Sequence, residues 1–313
     1  MPEKRSRMFT QSLAASPESI EIGPLRLIAG GNRGRYPFCH SLYVPGAGLL
    51  IDPGADRARL EHLRRTEAVR RVWLSHWHED HWGQLDLFDD LPLAMSRIDA
   101  PPLADLAVFF EWYGVGESLY EVWRPLMEEQ FHFRPRIPAA YLSDGQVIDL
   151  GGLTAEVIHS PGHTPGHLCF FFREIETLFL GDLDLTRFGP WYGDRDSDIE
   201  AIIRSVDRLR RIPARRWICS HENAVYHDLD EALWDAYLAV IERREQAVCA
   251  YLEAGPRTLD EIADRWIVYG KPREPKDFYA CGERNHMEKH LERLMKAGTV
   301  GCENGRYFLR QNR

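Results

Sequence analysis

The sequence predicts an α/β fold followed by a smaller, mostly helical region, and three observations carry that expectation. Short apolar runs recur through the first two thirds of the chain, each stopping at a cluster of His, Asp and Gly. Runs of that length, bounded by turn residues, are the pattern of buried strands. Segments rich in Arg, Glu and Leu at helical spacing lie between some of them, as in strand–helix–strand units. Beyond residue 228 the composition shifts to long amphipathic stretches with few strand signals.

In chain order, residues 1–19 predict a simple tail: the basic start lacks the continuous apolar stretch of a secretory leader. Residues 20–28 alternate loosely and predict one strand. Residues 30–35, Gly-Gly-Asn-Arg-Gly-Arg, predict a turn and lack the phosphate-loop pattern. Residues 39–44 and 48–51 predict two strands around Pro45-Gly46, closed by Asp52-Pro53-Gly54. Residues 57–70 predict a surface helix, 72–74 the next strand, and 84–88 the start of a short helix.

Residues 73–83 read WLSHWHEDHWG and place His76, His78, Asp80 and His81 within six positions. His76 and His78 are two apart, so in extended backbone they share a side. Asp80 and His81 follow the turn and face a second position. That spacing suits two adjacent cations better than one. Imidazole plus carboxylate is a ligand set for zinc, with iron or manganese as alternatives. A surface loop rich in histidine by chance is the competing reading. Three of 13 histidines in so short a stretch, beside two tryptophans, weigh against it.

The stretch from His81 to His163 is much longer than those separating His163, Asp182 and His221, and has room for extra helices. It carries Phe109, Phe110, Trp112, Tyr113, Tyr120, Trp123, Phe131 and Phe133. Such a density of large rings means burial, either by packing on the core or a dimer contact, or as a lid over an apolar substrate pocket. Residues 153–159 predict a strand that delivers His163, in a loop stiffened by Pro161, Gly162, Pro165 and Gly166. Residues 177–180 predict a strand ending at Gly181-Asp182, with Asp184 as the local rival. The loop 188–193 carries Trp191 and Tyr192, expected as substrate contacts, Tyr192 as a hydrogen-bond donor to a developing oxyanion. Ser197-Asp198 cap a helix over 199–211, and strand 217–219 leads to His221.

The last region predicts helices over 233–253, from 258 (with Thr258 and Glu261 as a capping box) and over 283–297, then a hairpin turning at Asn304-Gly305. Its charges nearly balance, so a packing or homodimer role is expected rather than nucleic-acid binding. The net charge of −9 argues against a polyanionic partner for the whole chain. No stretch is long and apolar enough for a membrane span. Six scattered cysteines with no C-x-x-C pair are the usage of a reduced, cytoplasmic protein.

Taken together, H-x-H-x-D-H at 76–81, P-G-H-T-P-G-H at 161–167, G-D at 181–182 and S-H at 220–221 resemble the metallo-β-lactamase superfamily over roughly residues 25–223. The resemblance implies a four-layer αββα sandwich. Residues 20–228 would form the catalytic domain, with an insertion at about 89–140. Residues 229–313 would form a winged-helix-like domain of the kind some members carry. It implies His76, His78 and His163 on one divalent metal ion, Asp80, His81 and His221 on a second, and Asp182 bridging them. Asp52 would orient ligands rather than bind metal. Two ions, zinc first, would lower the pKa of bound water and supply a hydroxide to attack an ester, thioester or lactone carbonyl of a small, partly apolar substrate. Asp80 would pass a proton to the leaving group. This is the chemistry of the glyoxalase II-like branch. A phosphodiesterase or nuclease is the alternative within the family, and a mononuclear iron persulfide dioxygenase is a further one. The latter uses two histidines and an aspartate, and His221 at a strand end speaks for the two-metal case.

Overall fold

The computed structural model describes residues 19–310, so the expected N-terminal tail lies outside the described residues except for Ser19. The chain opens with β1 (Ser19–Ile22) and β2 (Leu25–Ile28), then β3 (Ser41–Val44) and β4 (Leu49–Ile51). Residues 20–28 are therefore a hairpin and not one strand, because Gly23-Pro24 turns the chain between the paired Ile22 and Leu25. Helix α1 (Arg57–Thr66) follows, with Asp56 capping its N-terminus. Then come β5 (Arg71–Trp73), the single turn α2 (Glu79–Trp82) and β6 (Leu93–Ser96). Three helices, α3 (Pro101–Ala104), α4 (Leu106–Tyr113) and α5 (Tyr120–Glu129), precede β7 (Ala140–Leu142). These seven strands make one sheet in sequence order, antiparallel up to β4 and parallel from β4 to β7.

The second sheet takes β8 (Val147–Asp149), β9 (Thr154–His159), β10 (Leu168–Phe172), β11 (Thr177–Phe179), β12 (Arg216–Ile218) and β13 (Val225–His227). Its order is β13-β12-β11-β10-β9-β8, and only β11 and β12 run parallel, joined through α6 (Ile199–Leu209).

Side-chain alternation along the strands shows why the sheets stack. Leu42, Leu49, Ile51, Trp73 and Ala94 point into one cluster with Val157, Phe170, Phe179 and Ile218 of the other sheet. The neighbours Tyr43, Leu50, Val72 and Met95 point outward to Leu60 and Leu63 of α1 and to α4. On the far side Ile158, Cys169, Leu178 and Trp217 meet Ile202, Val206 and Leu209 of α6. With both faces of each sheet buried, the strands read as near-continuous apolar runs. The result is the expected αββα sandwich.

Two features differ from expectation. The stretch 89–140 is not a separate helical insertion: β6 lies between β5 and β7 in the first sheet, with Ala94 paired to Ala140. Only α3–α5 and their links are added. Their rings pack inward, since Phe109, Phe110, Tyr113, Trp123 and Phe131 join one core cluster with Trp77 and Trp82. The C-terminal region is also less separate than a boundary at 229 implies. Helix α7 (Glu231–Leu252) begins by covering the second sheet, where Trp234, Tyr237 and Ile241 join the α6 cluster. Only from Val248 does it share a cluster with α8 (Leu259–Ala263), α9 (Lys276–Lys296) and the hairpin β14 (Val300–Glu303)–β15 (Arg306–Leu309). The Thr258–Glu261 capping box forms. No helix among the described residues is long and apolar enough to cross a membrane.

Candidate metal centre

Four loops leave the sandwich at one end and bring the histidines together. The chain after β5 bends through residues 75–77 and carries His76 and His78, His78 in extended backbone, and α2 then lifts Asp80 and His81 beside them. Buried Trp77 and Trp82 pin this loop, the Trp82 indole donating to the Trp77 carbonyl at 2.7 Å. The loops after β9, β11 and β12 deliver His163, Asp182 and His221. Backbone bonds tie the loops together: Leu168 N to the Ser75 carbonyl at 2.9 Å joins the two sheets, and Ser220 N to that of Gly181 at 3.2 Å joins neighbouring loops of the second.

The donor atoms form two groups. His76, His78, His163 and Asp182 present one set, and Asp80, His81 and His221 the other, with atoms in each group within 4.8 Å of one another. In the first, His76 Nε2 lies 3.0 Å from His78 Nδ1 and 3.2 Å from His163 Nε2. Asp182 reaches both: one oxygen is 3.4 Å from His163 Nε2, and the other is 2.9 Å from His81 Nε2. Asp80 Oδ2 is 3.6 Å from His221 Nε2.

The second nitrogen of every one of these imidazoles is held from outside. His76 Nδ1 donates to Ser75 Oγ (2.9 Å), which itself donates to Asp52 (2.7 Å). His81 Nδ1 donates to the same Asp52 carboxylate at 3.0 Å. His78 Nε2 donates to Asp194 at 2.8 Å, His163 Nδ1 to the Trp191 carbonyl at 3.0 Å, and His221 Nδ1 to the Gly34 carbonyl. Such bonds fix ring direction and turn the other nitrogen of each ring inward to the cluster. The Asp52 turn sits tight against the motif, since a Cβ on Gly54 would fall 1.6 Å from the Asp80 carbonyl oxygen.

Electrostatics divides the cluster in two. Burial, with neighbouring imidazoles adding to it, pushes His78 down to about 4 and His163 to about 3, and holds His76 well below the usual range. Those rings are neutral at pH 7 and free to donate lone pairs. For His221 burial works the other way from Asp182 and Asp80, whose charges prevail and raise it to about 10. His81 is raised likewise. Without a cation, protons on this side balance the carboxylates, which is the charge a metal ion replaces. His81 Nε2 and Asp182 Oδ1 are moreover buried without a hydrogen-bond partner, though they face each other. Orphaned donor atoms, five oriented imidazoles and two carboxylates fit divalent metal ions.

Above the cluster opens a cavity of about 520 Å³, with His78, Asp80, His163, Asp182 and His221 on its wall. Its other walls are largely rings: Tyr36, Tyr113, Phe188, Trp191, Tyr269, Phe278 and Tyr279, with Asn32, Arg35 and Arg273 also bordering it. Within the aromatic stretch, Tyr113 packs on the core and also borders the cavity.

Trp191 is a wall residue of the cavity. Tyr192 is not: it is fully buried on the opposite side of the loop, where its hydroxyl lies 2.9 Å from His290 Nε2 and accepts from Arg244 at 2.7 Å. Successive residues of an extended loop face opposite ways, so only one of the two rings reaches the cavity. Sequence reasoning missed Asp194, which sits in a loop with no pattern around it. It missed Asp99 too, which accepts from Thr164 Oγ1 (2.5 Å) and Gly166 N (2.6 Å) and so holds the His163 loop. Phe278 and Tyr279 of α9 were likewise unforeseen as cavity residues.

The model of the metallo-beta-lactamase superfamily matches residues 36–221. An atrochrysone carboxyl ACP thioesterase of Aspergillus fumigatus is 30% identical, the match covering 81% of this chain and 73% of that one. A hydroxyacylglutathione hydrolase of Methylococcus capsulatus is 32% identical over 76% of this chain and 84% of its own. Among solved structures, a beta-lactamase domain protein from Burkholderia ambifaria superposes with a TM-score of 0.68 at 17% identity, covering 97% of this chain and 96% of that one. That likeness extends through the C-terminal helices. With the family match spanning every histidine of the cluster, the chain belongs to the metallo-beta-lactamase superfamily of metal-dependent hydrolases.

Proposed function

We propose that this chain hydrolyses thioesters of small, partly apolar acyl groups at a two-metal centre. The observation that carries the reading is the meeting of two complete donor sets at Asp182, on the wall of an aromatic cavity. His76, His78 and His163 would hold one ion, Asp80, His81 and His221 the other, with Asp182 between them. Zinc suits these donors, and iron or manganese fits the same set. Two such ions would acidify a bound water toward neutral pH and polarise the acyl oxygen.

The chain's own groups do the rest. Tyr113, Trp191 and Phe278 offer flat apolar surface to the acyl group and exclude water around the carbonyl. Arg273 borders the cavity and suits an anionic thiol carrier, whereas Arg35 is paired with Glu222 at 2.8 Å. Asp80, beside His221 on the cavity wall, would carry a proton on a carboxylate oxygen to the departing sulfur. The names of two similar relatives, an atrochrysone carboxyl ACP thioesterase and a hydroxyacylglutathione hydrolase, favour thioesters over the esters and lactones that share the carbonyl chemistry. The completeness of the Asp80–His81–His221 set supports two ions over one.

The test is metal content by mass spectrometry on protein purified without added metal, followed by thiol release from a panel of acyl thioesters. Two divalent ions per chain and metal-dependent thiol release are expected. Two ions with cleavage of phosphodiesters and none of the thioesters would overturn the substrate class. A single iron with oxygen uptake on persulfide would overturn the reaction.

A further inference from the structure

Arg244 is 4% exposed, in the middle of α7, and no carboxylate lies within ion-pairing distance among the described residues. A buried, unpaired guanidinium is costly unless it is hydrogen-bonded. Three of its five N–H hydrogens go to one loop. Nη1 donates to the Pro190 carbonyl at 2.9 Å and to the Tyr192 hydroxyl at 2.7 Å, and Nη2 to the Phe188 carbonyl at 2.8 Å. The cation also lies 4.8 Å from the centre of the Phe188 ring. Helix α9 grips the same loop from its other side. His286 Nε2 accepts from Tyr192 N at 3.1 Å, and Asn285 Nδ2 donates to the Gly193 carbonyl at 2.8 Å. The contact is close enough that a Cβ on Gly189 would fall 2.5 Å from Val240 of α7.

What this loop carries is specific. The Trp191 carbonyl orients His163, and Asp194 orients His78. Both histidines belong to the first donor set. The second set is oriented from elsewhere, His81 by Asp52 and His221 by Gly34. We infer that Arg244 is a positioning residue which, through the loop 188–194, sets the ring directions of His78 and His163, so that the C-terminal helices control one metal site and not its neighbour. The inference rests on the two-metal reading for its metal readout alone. An outer partner of a ligating histidine typically changes metal affinity 10- to 100-fold. Arg244 acts on two such partners at once.

The experiment compares wild type with Arg244→Met, Arg244→Lys and Tyr192→Phe. In metal-free, 15N-histidine-labelled protein, the low-field imidazole N–H signals of His78, His163 and His81 are recorded. Zinc affinities are then measured by competition with a chromophoric chelator. In R244M the His78 and His163 signals should broaden or vanish while that of His81 persists. One zinc should bind about 10- to 100-fold more weakly and the other within about twofold of wild type. R244K, which keeps a cation and some donors, should restore part of the loss. If R244M does not fold, Y192F removes a single hydroxyl from the same network and should weaken the same two signals. Unchanged signals and affinities in a folded variant would overturn the inference. So would an equal change at His81 and at both ions, which would mark general loosening. Should wild type bind a single ion, the two-metal reading fails, and the histidine signals alone decide the role of Arg244.

Discussion

His78 donates its Nε2 hydrogen to Asp194 at 2.8 Å, across 116 positions of sequence. The bond leaves Nδ1 as the lone-pair atom, 3.0 Å from His76 Nε2. Removing the carboxylate frees the ring to rotate and to exchange tautomers, and leaves the ligand itself in place. Asp194→Ala is therefore expected to weaken one metal site about 10- to 100-fold while the chain stays folded. Chelator competition measures this, and an unchanged affinity would show that the bond does not govern the ring.

Asp182 is the only carboxylate with oxygens toward both donor sets in the cluster. Asp182→Ala should drop metal content from two ions to one or none and reduce turnover more than about 100-fold, beyond the loss of an outer partner. His78→Ala should do the same through the first set alone. Mass spectrometry together with thiol release checks both variants. Full turnover with normal metal in either would sink the site assignment.

The cavity wall makes a separable prediction about selectivity. Phe278 of α9 stacks on Tyr36 with ring centres 5.2 Å apart and lies 5.3 Å from Trp123. An aromatic contact contributes about 0.5–1.5 kcal/mol beyond burial. Phe278→Ala should raise KM for ring-bearing acyl thioesters roughly two- to tenfold, with kcat little changed. Acetyl thioesters, too short to reach the ring, should be unaffected. A fall in kcat for both substrates alike would mean that Phe278 supports the metal loops rather than the acyl group.

These residues also show what a sequence exposes and what it hides. The seven candidate ligands sit where strands end, and strand ends are marked by apolar runs stopping at Gly, Ser or Pro, so their convergence was legible. The alternation of Leu42 with Tyr43, or Cys169 with Phe170, was legible as apolar character but not as two faces, because both faces are buried. Apart from Asp52, which the family resemblance pointed to, the orienting groups left little trace. Two of them are backbone carbonyls, of Gly34 and Trp191, which any sequence has. Asp194 reaches its partner only through the path of a long loop. Tyr192 was misplaced because adjacent aromatic residues look alike in sequence while extended backbone sends them opposite ways. The C-terminal helices looked like an appended unit because their composition changes at residue 228, yet Trp234 and Tyr237 pack on the second sheet and Phe278 lines the cavity.

Asp99 offers a test by pH. It is fully buried after β6, and although Thr164 and Gly166 donate to it, burial prevails and pushes its carboxyl up to about 7. The native state thus holds a proton that the unfolded chain releases near pH 4. Between those values the folded form binds more protons, so stability must fall as pH rises, by at most about 1.4 kcal/mol per pH unit, and level off above about 7. Asp99→Asn cannot titrate. In metal-free protein, the stability of wild type relative to D99N should therefore decline from pH 4 to 7, measured by urea unfolding at each pH. A difference that stays flat over this window and changes only below about pH 4 would mean that the two donated hydrogen bonds outweigh burial and that Asp99 holds the His163 loop as a carboxylate.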